Sequence, residues 1–165
     1  MDLVNDSNEV IGVATQKEVY DNKLNHRIVH VFVINPETNE IYFQKRAESK
    51  SYLPGYYCTS AGGHVKSGES YYDAAKRELS EELGLDCSIK KIAEIVFVDN
   101  NHKRFIELFT AFAESGFNFK DGEVASGEFL DFEKAFYLIS KGEKIHPQLD
   151  VCFKWVYDNR EKILV

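Results

Sequence analysis

Runs of β-branched and aromatic residues alternate along this chain with polar, turn-forming segments, and the spacing within each run separates strands from helices. Residues 28–35 (IVHVFVIN) form the most continuous apolar run and read as a buried strand. Pro36-Glu37-Thr38-Asn39 is a turn, and residues 41–45 return as the partner strand of a hairpin. Upstream, 10–14 reads as a short strand and 17–20 as a helical turn, while 1–9 is polar and loosely held. Residues 46–55 are charged and end in Pro54-Gly55, a plausible lip to a cleft, and 56–61 is a strand leading into a glycine-rich segment. Two apolar strands, 88–98 and 104–113, are joined by a polar turn at Asp99-Asn100-Asn101. A loop over 116–127 carries Lys120, Asp121 and Glu123. A short strand at 128–132 and a helix at 132–140 follow. After the break at His146-Pro147, a last helix over 148–162 turns Val151, Cys152, Trp155 and Val156 to the core. Strands and helices mix without a strict βαβ rhythm, and no repeat or linker interrupts them. The pattern predicts an α+β fold, a mixed sheet between helices, in a single domain spanning 1–165.

One stretch carries chemistry. From Gly63 to Leu85 the chain reads GHVKSGESYYDAAKRELSEELGL, a glycine loop followed by a helix. Gly62, Gly63 and Gly68 allow positive φ and close approach of a ligand to the backbone. The helix is expected to start between Ser67 and Ser70, where hydroxyls cap free N–H groups, and to stop at Gly84. At 100° per residue Tyr72, Ala75, Leu79 and Leu83 share a core-facing stripe. Glu78, Glu81 and Glu82 fall on the adjacent face, with Glu81 pointing furthest from Glu82. Such a face is ordinarily just solvated, yet here three like charges crowd the helix end where the macrodipole disfavours anions. Arg77 can pair with Glu81, but one arginine does not balance three carboxylates. A hard divalent cation does, since Mg²⁺ takes oxygen ligands from carboxylates and substrate phosphates.

The same residues resemble the Nudix box without a departure: Gly63, five residues, Glu69, seven residues, Arg77-Glu78, Leu79, one residue, Glu81-Glu82, one residue, Gly84-Leu85. The resemblance implies an α/β/α sandwich with the box helix against the sheet. It also implies hydrolysis of a diphosphate joined to another group, often in a nucleoside diphosphate derivative. Carried over from the motif, Glu78, Glu81 and Glu82 would hold Mg²⁺, with Mn²⁺ an alternative, and one of them could serve as base. Arg77 would orient the carboxylates, and Glu69 would add a further carboxylate or a bond to Arg77. Some members place the base on a later loop, where Glu123 is the candidate here. Lys45 and Arg46, closing the hairpin strand, can reach a phosphate. Tyr56, Tyr57 and Phe119 could stack a base or simply fill core.

The flanks HRIVHVFVIN, QKRAESK and LPGYYCTSAGGHV resemble the isomerase-like branch of the superfamily, which includes isopentenyl-diphosphate isomerase. The isomerase's cysteine, two residues before the loop histidine, corresponds to Gly62 here. The resemblance therefore implies the isomerase's neighbourhood with hydrolase chemistry. His26, His64 and Glu107 match metal-binding positions of the isomerase and form a possible second site. Two readings stay open beside each other: a Mg²⁺-dependent hydrolase, and a non-catalytic member that senses a nucleotide or diphosphate.

Composition narrows the partners. The 165 residues are 44% hydrophobic and carry a formal net charge of −7, which suits a real core and argues against a nucleic-acid polymer as ligand. A small phosphorylated metabolite bound through a metal is compatible with that charge. Cys58, Cys87 and Cys152 form neither a CxxC pair nor an even disulfide set. The first ten residues, MDLVNDSNEV, lack a basic region and an apolar run, and no stretch is long enough to cross a membrane. The expected compartment is the cytoplasm.

Overall fold

A computed structural model describes residues 1–119 and 122–164; Lys120 and Asp121 of the predicted loop lie outside the described residues. The chain opens with a two-stranded antiparallel sheet of β1 (Asp2–Val4) and β2 (Val10–Val13), followed by α1 (Gln16–Asp21), whose start is fixed by a Thr15–Glu18 capping box. β1 falls in the segment expected to be loose. Three residues are too few to display alternation. The strand is nevertheless pinned, because the buried Asp2 accepts hydrogen bonds from Ser67 Oγ (2.6 Å) and Gly68 N (3.4 Å) of the glycine loop.

β3 (His26–Ile34) runs through the middle of the main sheet, buried along almost its whole length. Ile28, Phe32 and Ile34 face one helix layer while Val29, Val31 and Val33 face the other, which is why the run reads as continuous rather than alternating. β4 (Ile41–Arg46) meets β3 only at Ile34↔Ile41, and beyond that pair the two strands part. The following segment fills the split. β5 (Tyr57–Cys58) pairs with β4, and β6 (Ala61–His64) pairs with β3. The predicted strand over 56–61 is thus two strands, because the chain crosses from one half of the sheet to the other between them. Ser60 bridges the crossing: its Oγ accepts from Val33 N (2.7 Å) and donates to Tyr42 O.

α2 (Tyr71–Leu83) lies on one face of the sheet. Ser70 Oγ accepts from Asp73 N (3.1 Å) at its start, and Gly84 ends it at φ +69°. Its buried arc runs through Ala74, Ala75, Leu79, Glu82 and Leu83. That places Tyr72 at the rim, half exposed and edge-on to Phe109, rather than in the core. β7 (Ile89–Asp99) and β8 (His102–Phe112) form a long hairpin, and β8 runs parallel to β3. β9 (Val124–Leu130) starts earlier than the predicted strand and pairs antiparallel with all of β4, so Glu123 stands at its threshold.

α3 (Phe132–Ser140) and α4 (Pro147–Asp158) cover the opposite face, packing Phe132, Ala135, Ile139, Leu149, Cys152, Phe153 and Val156 onto Ile28, Phe32, Ile34 and Phe43. Leu149 and Phe153, rather than Val151 and Trp155, reach deepest. The predicted last helix breaks at Asn159, whose side-chain amide donates to Trp155 O (2.9 Å) and ends α4 before a single turn, α5 (Arg160–Ile163). Among the described residues the result is a mixed sheet of seven strands between two helix layers, the expected α/β/α sandwich.

Candidate active site

The site is built where α2 meets the split in the sheet. Gly62 and Gly63, the middle of β6, pass so close to their neighbours that a side chain at either would force something to move. A Cβ on Gly63 would stand 2.3 Å from Glu78 Oε1, and one on Gly62 would stand 2.5 Å from His30 Nδ1 and 2.8 Å from Val29 O. Glu78 and Glu82, one helical turn apart, flank this glycine pair. Glu82 is 4% exposed, and its Oε2 accepts from Gln44 Nε2 (2.8 Å) and Gly62 N (3.0 Å). It thereby ties β4 to β6 across the split.

Arg77 gathers the remaining acids. Its Nε and Nη2 make a bidentate pair with Glu69 (2.8 and 3.0 Å), Nη1 donates to Glu78 Oε1 (2.6 Å) and Glu81 Oε2 (3.1 Å), and Nη2 also reaches His64 O (3.0 Å). Glu69 additionally accepts from Lys66 N (2.9 Å), so both its oxygens are committed to holding the loop and the guanidinium. The electrostatics follow. Arg77 keeps the Glu69 carboxyl below the ordinary range, and its own guanidinium is held charged chiefly by Glu69. Glu78 goes the other way: burial raises its pKa despite Arg77, with the Glu81 and Glu123 charges adding to the rise. Glu81 is about half exposed (48%) and also faces Lys66 at 4.0 Å.

The other predicted residues are dispersed around this centre. Glu123 precedes β9, its carboxylate pairs with Lys50, and its carbonyl accepts from Ala47 N (2.8 Å), which docks it on the 46–55 lip. Its charge is felt at Glu78. Lys45 stands on β4 opposite Tyr57 and Ser126, and Arg46 is turned to Tyr52 O (3.0 and 3.2 Å). Tyr57 packs against the α4-side core and donates to Glu128 (2.8 Å).

The expected trio of His26, His64 and Glu107 is only two-thirds assembled. The rings of His26 and His64 lie 5.3 Å apart on the α4 side of the sheet. Glu107 does not join them. It is registered with Val29 on the α2 side and bonded to Lys91 (2.7 Å), whereas His26 is registered with Arg104. One step of strand parity separates the two faces. In its place the structure supplies His102 and Arg104, which the sequence reading did not single out. His102 lies between the predicted turn at Asp99–Asn101 and the predicted strand that Arg104 opens, and only the β3–β8 register brings them to His26. Gln44 and Lys50 were missed for the same reason, since neither carries a local signal.

Among the described residues no three His, Cys, Asp or Glu side chains converge as a ready metal site, because Arg77, Gln44 and Gly62 occupy the box carboxylates. The donor set still fits a hard cation: three carboxylates gather beside the glycine pair, Glu78 desolvated and sharing one guanidinium with Glu81, and Glu82 held by Gln44 and Gly62.

The acidic face of α2 is thus laid over a glycine pair in the split of a sandwiched mixed sheet. A family model described as NUDIX domain matches residues 24–151. The chain is 32% identical over 126 residues to the uncharacterized Nudix hydrolase YfcD of Escherichia coli (strain K12), covering 76% of this chain and 69% of that one. It is also 34% identical over 95 residues to isopentenyl-diphosphate Delta-isomerase 2 of Photorhabdus laumondii, covering 58% and 53%. The crystal structure of DR0079 from Deinococcus radiodurans matches with a TM-score of 0.83 at 28% identity, over 94% of this chain and 98% of that one. The chain belongs to the Nudix hydrolase family, whose members in general hydrolyse pyrophosphate-type linkages and use divalent metal ions.

Proposed function

We propose that residues 1–165 work as one domain, a Mg²⁺-dependent hydrolase of a diphosphate linkage in a small, nucleoside-diphosphate-type or related metabolite. The observation that carries this is the placement of Glu78 and Glu82 on either side of the Gly62–Gly63 pair, with Glu81 and Arg77 at its rim. Glu78, Glu81 and Glu82 would hold Mg²⁺ (or Mn²⁺), which when bound supplies charge neutralisation of the diphosphate and a more acidic water. Glu69 has both oxygens engaged with Arg77 and Lys66, which favours its role as the brace of Arg77 over that of a ligand. Arg77 in turn restrains Glu78 and Glu81 before substrate arrives. Glu123, paired with Lys50 at the edge of the lip, is our candidate for the base that takes the proton of the attacking water. Lys45, Arg46 and the Gly63 backbone are the candidate substrate contacts. Three free cysteines and no helix, among the described residues, long and apolar enough to cross a membrane are compatible with a cytoplasmic setting.

The test is a panel of diphosphate compounds incubated with purified protein and Mg²⁺, read by phosphate release. Turnover of at least one compound, abolished by EDTA, is expected; binding without turnover would establish the sensor reading instead. The panel should include isopentenyl diphosphate. Position 62 has neither a side chain nor the space for one beside His30, so no dimethylallyl diphosphate is expected.

A further inference from the structure

A glutamine stands where β4 would otherwise be apolar. Ile41, Tyr42, Phe43 and Gln44 are all buried, with Ile41 and Phe43 facing the α4 side and Tyr42 the α2 side. By strand parity Gln44 shares the α2 side, and it is 3% exposed there. A primary amide taken out of water at such a position is costly unless it is hydrogen-bonded, a cost that leucine would not incur. Its partner is Glu82: Gln44 Nε2 donates to Glu82 Oε2 at 2.8 Å. Chemistry fixes which way the amide points, because a carboxylate accepts and only the NH₂ end of the amide donates.

The same oxygen accepts from Gly62 N at 3.0 Å, so the Glu82 carboxylate is pinned from both sides of the split. Both anchors are set in paired strands. Gln44 is registered with Cys58 of β5 on one side and Gly127 of β9 on the other, and Gly62 is registered with His30 of β3. Glu78 and Glu81 are held differently. Both accept from Arg77 Nη1, a positive group with which an incoming cation must compete. Gln44 and Gly62 are neutral donors, so they orient Glu82 without cancelling its charge.

We propose that Gln44 is a positioning residue of the hydrolytic centre: its amide fixes the Glu82 carboxylate, so that this ligand is in place before the divalent cation arrives. The role rests on the reading of Glu82 as a metal ligand. A partner that orients a metal ligand typically carries about 10- to 100-fold of metal affinity. Removing the Gln44 amide therefore weakens the metal site, and does so only through Glu82.

The test measures Mn²⁺ binding to the full chain, from the electron paramagnetic resonance signal of the free ion, with urea unfolding alongside. Gln44→Leu removes the donor from a position that stays buried, and the Mn²⁺ dissociation constant is expected to rise about tenfold or more. Phe43→Leu, on the same strand but the opposite face, should lower stability and leave the dissociation constant unchanged. A double-mutant cycle separates positioning from packing. In the Glu82→Gln background, where the charge is already gone, adding Gln44→Leu should change Mn²⁺ binding no further. Should the leucine variant not fold, Gln44→Met, unbranched and equally without a donor, takes its place. An unchanged dissociation constant in the apolar variant, or an equal loss in the wild-type and Glu82→Gln backgrounds, would overturn the role of Gln44. Either result leaves the metal-dependent reading standing. Failure of that reading shows separately, as wild-type protein that binds no Mn²⁺ or a Glu82→Gln variant that binds it as tightly as the wild type.

Discussion

Glu82 and Gly63 make the sharpest demands on single residues. Glu82→Gln keeps the shape and one oxygen able to accept from Gln44 and Gly62, but removes the charge. Turnover is expected to fall about 10²-fold or more with the thermal midpoint nearly unchanged, as measured by phosphate release and calorimetry. Full activity in this variant would sink the proposed role. Gly63→Ala acts from the other side. Its methyl group would press on the Glu78 carboxyl, the far end of a flexible side chain, so the fold can adapt by pushing that carboxyl off Arg77. Activity should therefore drop well beyond the loss of stability, which is expected to stay within about 1–3 kcal/mol. Equal losses in both would mean that Gly63 is needed only for packing.

The elements fix where these residues stand, and α2 is the one whose ends matter most. Ser70 caps its start, and Gly84 ends it in the left-handed region, with Asn118 packed against the glycine; a Cβ there would sit 3.1 Å from Asn118 Cβ and O. Gly84→Ala combines positive φ with that contact and should cost about 1–2 kcal/mol in urea unfolding. The box carboxylates lie in the last two turns, so the variant should also lower activity, whereas Ser70→Ala should cost about 1 kcal/mol and leave turnover nearly intact. The reverse order of effects on activity would show that the loop, rather than the helix end, sets the geometry.

At the scale of the whole molecule, the five histidines couple the fold to pH. His30, bonded to Thr59 Oγ1 (2.7 Å) and Gln148 Oε1 (2.8 Å), has its pKa lowered by burial to about 4, and His146 at the start of α4 to about 3. His26, His64 and His102 are lowered as well. Each is neutral in the fold and near 6.5 when unfolded, so the unfolded chain takes up protons first as pH falls. Stability is therefore full above about pH 6.5 and declines as pH falls from there to about 4 for His30 and His64 and to about 3 for His26 and His146, by up to about 1.4 kcal/mol per pH unit for each such imidazole. Urea unfolding at stepped pH should show this slope, reduced by one proton in His30→Gln. A flat profile between pH 7 and 5 would contradict the burial of these rings.

What is local is legible in the order of residues. Apolar runs, turn residues and caps depend on neighbours within a few positions, and they placed β3, β4, α2, α3 and the β7–β8 hairpin to within a few residues. The box likewise named Arg77, Glu78, Glu81 and Glu82 because helical spacing alone puts them near one another. What depends on pairing between distant strands came from the folded chain. The split between β3 and β4 divided 56–61 into two strands, set Glu82 as a tie between Gln44 and Gly62, and brought Asp2 to the glycine loop. The parallel register of β3 with β8 removed Glu107 from the histidines and put Arg104 there instead. Side chains alternate between faces with a period of two, so the sign of the charge beside His26 turns on a register that no local pattern encodes.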